Sequence, residues 1–306
     1  MSPTPADPRR RSSSSDTSST RSGSALALEG GALDFAQVEQ VARQNRPVEL
    51  GEGARERLAR SRATLEAAMA GGHALYGVNT GFGSLSRQRI PDKDLAEVQH
   101  NLLRSHAAGV GEPLPRDIVR GMMLLLAASL SRGHSGVRPL VVEGVIALLN
   151  AGITPVVPEV GSVGASGDLA PLAHAALVLI GEGQALAPDG GAPIPGGEAL
   201  RKAGLKPIAL GAKEGLALIN GTHLMAARGA LIMTDVERVF DAALVATAMS
   251  IDAARGTDAA LDERAHAIRR QPGQMRVAAR LRNMLAASEI VRSHVTNDPR
   301  VQDPYS

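Results

Sequence analysis

Apolar residues recur at intervals of three and four along most of this chain, the spacing that places side chains on one face of an α-helix. Phe35, Val38 and Val41 show it near the start. The predicted helices cover 34–43, 53–70, 94–108, 117–130, 139–149, a run that begins at 168, 213–230, 231–254 and 284–294. Strand signals are few: a short extended piece at 155–158, and a Gly/Pro-rich stretch at 181–212 with room for a small hairpin. The fold class is therefore all-α, and the later helices resemble a bundle.

Composition divides the chain into three predicted parts. Residues 1–24 are rich in Ser and Arg and lack large apolar side chains, so they cannot offset the entropy of ordering and are predicted to be a disordered tail. An organelle transit peptide is the alternative for this segment, although two Asp residues interrupt it. Residues 25–225 are predicted to form an N-terminal helical domain, and 226–306 to begin a central helical bundle.

Charge and residue usage exclude several classes of partner. The formal net charge is +2, which is the excess of four Arg over two Asp within residues 1–24. The remainder is close to neutral, so nucleic acid is not an expected partner. The absence of Cys excludes disulfides and thiolate metal sites. We also expect no membrane span, because polar residues interrupt the longest apolar run, around 122–130.

The stretch 161–168 contains the most unusual chemistry. It reads Gly161-Ser162-Val163-Gly164-Ala165-Ser166-Gly167-Asp168 and leads into the apolar run 169–180. The simplest interpretation is a flexible loop followed by a helix with Asp168 as its N-cap. The small residues on both sides of Ser166 leave its backbone unshielded, so the backbone itself is available for chemistry.

Two familiar interpretations of this loop meet obstacles. Phosphate binding at the helix N-terminus lacks the Lys-Ser/Thr pair of a P-loop and the βαβ unit of a dinucleotide site. A hydrolase nucleophile at Ser166 needs Gly two residues away on each side, and position 168 is Asp; this alternative stays open. Metal binding has less support, because none of the eight His shows the i, i+4 pairing of a zinc helix.

A third interpretation uses the backbone of the loop. Attack of the Gly167 nitrogen on the Ala165 carbonyl closes a five-membered ring. Loss of water from that carbon, and of the Ser166 hydroxyl as a second water, leaves a methylene conjugated to a carbonyl. That group is a strong electrophile, and a nearby helix N-terminus would favour the negative charge that develops on its oxygen.

With the residues that follow it, Leu169-Ala170-Pro171-Leu172-Ala173-His174, the loop resembles that of the aromatic amino acid ammonia-lyases. These enzymes carry 4-methylideneimidazol-5-one (MIO) made from Ala-Ser-Gly. Four further segments and the chain end match in the same order: 76–83, 99–106, 135–139, 218–222 and 301–305. The resemblance runs from about residue 26 to the last residue, and Ser105-His106 is similar to the histidine-specific members.

The resemblance implies a role for each site residue. MIO would form from Ala165, Ser166 and Gly167, and the reaction would convert L-histidine to urocanate and ammonia in the cytoplasm. Tyr76 would remove the β-proton, for which its phenol needs a pKa lowered from about 10. His106 would contact the substrate imidazole. Asn220 would hold the substrate or the MIO oxygen, and Tyr305 would line the pocket. Arg138 and Asp303 would have structural roles, and Phe82 would pack under the Tyr76 loop.

The chain also departs from the family pattern, because it stops one residue after Tyr305. An Arg that binds the substrate carboxylate, a Phe and a Glu of the pocket, and the rest of the bundle that builds a homotetramer lie further on in family members. We therefore expect weak or no activity from the 306 residues alone. The rival hypotheses are an MIO-dependent tyrosine aminomutase and a non-catalytic fragment that only associates with other subunits.

Overall fold

A computed structural model describes residues 24–81, 88–164, 167–186 and 191–301. Within them the chain is mostly helical, which confirms the all-α class. The helices are α1 Phe35–Ala42, α2 Glu52–Ala70, α3 Leu95–His106, α4 Arg116–Leu130, α5 Pro139–Asn150, α6 Leu169–Leu179, α7 Gly196–Lys202, α8 Glu214–Ile219, α9 His223–Ala253, α10 Glu263–Arg269, α11 Pro272–Leu285 and α12 Glu289–Arg292. The strands are β1 Leu26–Leu28, β2 Val48–Leu50, β3 Val110–Pro113, β4 Thr154–Pro155, β5 Pro158–Val160, β6 Gln184–Leu186 and β7 Ile194–Pro195.

The strands form small local sheets rather than a layer of the fold. β1 pairs in parallel with β2, β3 pairs antiparallel with β5, and β6 lies between β4 and β7. The antiparallel pairing of β6 with β7 confirms the small hairpin expected within 181–212, and the same region also contains α7.

The main core lies where α4 packs against α1, α5 and α9. The predicted helices from α1 to α6 lie within two residues of their observed bounds, because apolar side chains at helical spacing are the ones that this core buries. A second, smaller apolar cluster joins the distal part of α9 to α11 and α12 through Leu244, Leu281 and Val291. The predicted domain boundary at residue 225 stays a prediction.

Three predicted helices are wrong in their bounds. The helix is interrupted at residues 220–222, between α8 and α9, and α9 continues without interruption through 230–231. The predicted helices 213–230 and 231–254 therefore place the break about ten residues too late. The predicted helix 284–294 spans the end of α11, a turn and the short α12. Ala-rich sequence continues the helical pattern across such breaks, because Ala fits either face of a helix.

The stretch 214–253 meets the length and hydropathy criterion for a membrane span, contrary to the sequence expectation. The criterion concerns length and composition only. The helix is interrupted at 220–222, and α9 packs on α1 and α4 inside the fold.

Candidate active site

Gly167 lies in a backbone conformation that only glycine adopts readily, with φ of +121°. A Cβ built on it would lie 2.5 Å from the carbonyl oxygen of Gly221. The backbone of residue 167 therefore rests directly on the turn between α8 and α9. Ala165 and Ser166 lie outside the described residues.

The Asp168 side chain caps a different helix from the predicted one. Asp168 occupies the N-cap position of α6, as the sequence predicted, but its fully buried carboxylate accepts no hydrogen bond from α6. It accepts instead from the backbone N–H groups of Leu224 and Met225 at 2.8 and 3.2 Å, and from Ser162 Oγ at 2.6 Å. The negative charge thus stabilises the N-terminus of α9.

The main chain of Asp168 adds a further contact, because its N–H donates to the Gly221 carbonyl at 2.7 Å. Asn220, the C-cap of α8, directly precedes Gly221 and is exposed. The structure therefore brings together two of the predicted site residues, Gly167 and Asn220, at one turn. Among the described residues no side chain caps α6, so the N-terminus of α6 remains available to favour negative charge on the loop.

His106 ends α3, and its ring orientation is set by its own helix. The Nδ1 atom lies 2.8 Å from the carbonyl oxygen of Leu102. A carbonyl only accepts, so we assign a proton to Nδ1, and in the neutral ring Nε2 is then the acceptor. This arrangement suits recognition of an N–H donor such as that of an imidazole.

Tyr76 lies at the surface on a loop that is anchored from within. Its side chain is 63% exposed, so it does not fill a gap in the core. The buried Asn79 side chain accepts from the Leu75 N–H at 2.6 Å and donates to the His73 carbonyl at 2.9 Å. The buried Thr80 hydroxyl accepts from the Gly77 N–H. These hydrogen bonds fix the loop that carries Tyr76. They involve none of the residues that join Gly167 to the turn after Asn220. Phe82 and Tyr305 lie outside the described residues.

An ion pair between the partly exposed Arg138 and a buried carboxylate fixes the start of α8. The Glu214 carboxylate is fully buried and accepts from Arg138 Nε, from Arg138 NH2, and from the backbone N–H groups of Arg138 and Gly211, at 2.6–3.0 Å. Burial raises the pKa of Glu214, but these hydrogen bonds together hold it below its ordinary value. Arg138 thus makes the structural contact expected of it. Sequence reasoning missed Glu214, which no motif marked.

Gln99 supports α8 from its other side. Its buried side chain accepts from the Leu216 N–H, and Gly215 approaches so closely that a Cβ there would lie 2.8 Å from the Gln99 carbonyl oxygen. The segments 99–106, 135–139 and 218–222, which the sequence marked separately, therefore meet around α8.

Burial disfavours the charged form of two imidazoles near the loop. Burial lowers the pKa of His174, whose Nε2 accepts the Gly109 N–H at 3.1 Å. Burial also lowers the pKa of His223, and the charge of Asp168 offsets part of that effect. Within the described ranges, no group of three or more His, Asp or Glu has a geometry that would hold a metal ion.

The two lowered pKa values predict how stability changes with pH. The folded protein binds protons at His174 and His223 less readily than the unfolded chain does. The contribution of the two neutral imidazoles to the free energy of unfolding is complete above about pH 6.5. It is lost as pH falls through the lower pKa of the folded state. We expect the thermal midpoint to fall from about pH 7.5 to about pH 5. The H174Q/H223Q variant lacks both titrating groups, so its thermal midpoint should fall less. The difference is roughly 2–4 °C for each kcal/mol of unfolding free energy that the variant retains in acid. Equal slopes in both proteins would contradict this prediction.

A sequence model of the family described as aromatic amino acid lyase matches residues 33–306. The chain belongs to this family. It is 51% identical over 287 residues to a protein named histidine ammonia-lyase from Anaeromyxobacter dehalogenans, a match that covers 92% of this chain and 56% of that protein. The chain thus spans about half the length of the curated relatives it matches.

Solved structures place the lyase fold beside two kinds of enzyme. A histidine ammonia-lyase from Trypanosoma cruzi superposes with a TM-score of 0.79 and 38% identity, over 85% of this chain and 50% of that one. A tyrosine aminomutase from Streptomyces globisporus superposes with a TM-score of 0.83 and 33% identity, over 92% and 55% respectively. Fold similarity is therefore shared between lyases and aminomutases, whereas the higher identity is to histidine ammonia-lyases.

Proposed function

We propose that this lyase chain serves the non-oxidative deamination of L-histidine to urocanate and ammonia. The observation that carries the proposal is the 51% identity, over 92% of the chain, to a protein named histidine ammonia-lyase. The docking of Gly167 and Asp168 on the turn after Asn220 supports it, because it joins two separate segments of the resemblance into one site. The phosphate and hydrolase interpretations gain no comparable support.

The proposed electrophile is MIO, formed from Ala165, Ser166 and Gly167. The described residues fit such a group: residue 167 has no room for a Cβ, and the N-terminus of α6 follows immediately. When formed, the group supplies an electron-poor methylene without any bound cofactor. Around it, Asp168 holds the end of the loop against α9 through two backbone N–H groups.

The remaining roles follow from the atoms that each side chain leaves available. His106 presents Nε2 as an acceptor for the substrate imidazole N–H, since Nδ1 is engaged with Leu102. Tyr76 is proposed to take the β-proton of the substrate, from a loop held by Asn79 and Thr80. Asn220 would hold the substrate or the MIO oxygen, and Tyr305 would line the pocket.

We also propose that the protein is a cytoplasmic homotetramer engaged in histidine degradation. The support for assembly is a row of apolar side chains that α9 exposes to solvent, because such a row is typical of a protein–protein interface. These residues are Ile232, Val236, Val239, Phe240, Val245 and Met249.

Intact-protein mass spectrometry tests the proposed electrophile. The wild-type chain should be lighter than its sequence mass by two water molecules, lost from residues 165–167. The Ser166→Ala chain should keep its full sequence mass, because the methylene carbon and one leaving hydroxyl come from Ser166. Ser162→Ala is the matched control in the same loop and should still lose both waters. An unmodified wild-type mass would contradict the proposed electrophile.

A substrate assay separates the proposal from its rival. On incubation with L-histidine, L-tyrosine and L-phenylalanine, any product should be urocanate from L-histidine, at the weak rate expected of the 306 residues alone. The aminomutase hypothesis rests on the superposition with the Streptomyces globisporus enzyme and predicts a β-amino acid from L-tyrosine instead.

A further inference from the structure

Two functional segments leave the same end of the β3–β5 ribbon. Val110 in β3 is paired with Val160 in β5. Gly109, just before β3, leads back to His106, and Gly161, just after β5, leads on to residues 165–167. A Cβ on Gly161 would lie only 3.2 Å from the Cα of Gly109. The turn after His106 and the start of the loop are therefore in direct contact.

His174 holds this junction from the side of α6. Its Nε2 accepts the Gly109 N–H at 3.1 Å, and a Cβ on Gly109 would lie 3.2 Å from the same atom. Because the backbone N–H is the donor, Nε2 carries no proton and the neutral ring has its proton on Nδ1. His174 lies six residues after Asp168, less than two helical turns from the docked end of the loop.

The path from His174 to His106 is short and hydrogen-bonded throughout. The Ala107 N–H donates to the Leu103 carbonyl, and the Ala108 N–H donates to the His106 carbonyl at 2.8 Å. Gly109 is the next residue, so a movement of its backbone passes to His106 through only two residues.

We propose that His174 is a positioning residue, which fixes the His106 turn relative to the loop 161–168 by accepting the Gly109 N–H. The proposal rests on the proposed role of His106 in recognising the substrate imidazole. It gives the His in the segment Leu169–His174 a function distinct from the chemistry of the loop, since it acts on specificity through His106.

Two amide variants isolate the accepting atom. Gln at position 174 places its terminal amide near the site of Nε2, whereas Asn is one methylene shorter and cannot reach Gly109. Hydrogen exchange of the backbone amides 107–111 and the NMR signal of the His106 imidazole are measured in wild type, H174Q and H174N. We expect H174N to exchange about five-fold faster at these amides, as for the loss of one hydrogen bond, and to shift the His106 signal. H174Q should match the wild type in both.

A control and two contrary outcomes complete the test. His294 is buried, and its ring contacts the Ile290 carbonyl, far from Gly109 along the chain. The control variant H294N should therefore leave both readouts unchanged. An unchanged His106 signal in H174N would overturn the proposal. So would an H174Q variant as perturbed as H174N, because packing rather than the accepting atom would then matter.

A failure of the proposed function is distinguishable from a failure of this inference. L-Histidine is titrated into the wild-type chain and into H174Q while the His106 signal is followed. A His106 signal that does not respond to L-histidine in either protein counts against recognition by His106. The exchange rates and the signal difference between H174Q and H174N report on His174 whatever that titration shows.

Discussion

Gly167→Ala is expected to abolish the loss of two water molecules from residues 165–167. A side chain at φ of +121° is strained, at about 1–3 kcal/mol, and the new Cβ would lie 2.5 Å from the Gly221 oxygen and 2.9 Å from the Gly221 carbonyl carbon and nitrogen. Relief of that clash requires the loop to leave Gly221, which breaks the hydrogen bond from the Asp168 N–H to the Gly221 carbonyl. The ring-forming nitrogen belongs to the displaced residue. Intact mass, measured on folded protein, reports the outcome.

Gly164→Ala is the matched control for this change. Gly164 belongs to the same loop and also has a positive φ, +66°, but the nearest atom to a Cβ there is Met225 Sδ at an ordinary 3.7 Å. We expect it to cost about 1–2 kcal/mol of stability and to retain the two-water loss. If Gly167→Ala lost both waters as the wild type does, the contact with Gly221 would have no part in ring formation.

Glu214→Ala is expected to produce the largest loss of stability, about 2–4 kcal/mol, because it removes a fully buried acceptor from its donors, although Arg138, which is 36% exposed, stays partly solvated. The backbone N–H groups of Arg138 and Gly211 also lose their acceptor. Urea unfolding followed by circular dichroism measures the change. The folded-state pKa of Glu214 is lowered, so its contribution is present above roughly pH 4 and is lost as pH falls through the lower value. The difference between variant and wild type should therefore narrow in acid.

Glu182→Ala is the matched control, because Glu182 also pairs with an Arg but does so at the surface. Glu182 and its partner Arg104 are 34% and 52% exposed, so we expect a change of at most about 1 kcal/mol. Similar losses in both variants would show that burial of Glu214 is not the source of its effect. Because α8 begins at Glu214 and ends beside Asn220, Glu214→Ala should also disturb the turn on which Gly167 rests.

Much of the fold follows from local pattern. The helices from α1 to α6 could be predicted because each buries apolar side chains in the main core. The break at 220–222 could not, although Asn-Gly-Thr is a turn signal, since the Ala-rich sequence on both sides keeps the helical spacing. What fixes that break is the docking of Asp168 on the N-terminus of α9.

The sequence by itself determined the helical class, the order of the family segments and the chemistry of a loop with Gly at 167. Each depends on residue type and on spacing within one segment. Only the tertiary structure decided that the Asp168 carboxylate serves α9, that Glu214 anchors Arg138, and that Gly109 meets His174. These contacts join residues 56, 76 and 65 positions apart. A hydrogen bond forms between whichever donor and acceptor the packing of helices brings within about 3 Å, and no periodicity within a segment encodes that distance.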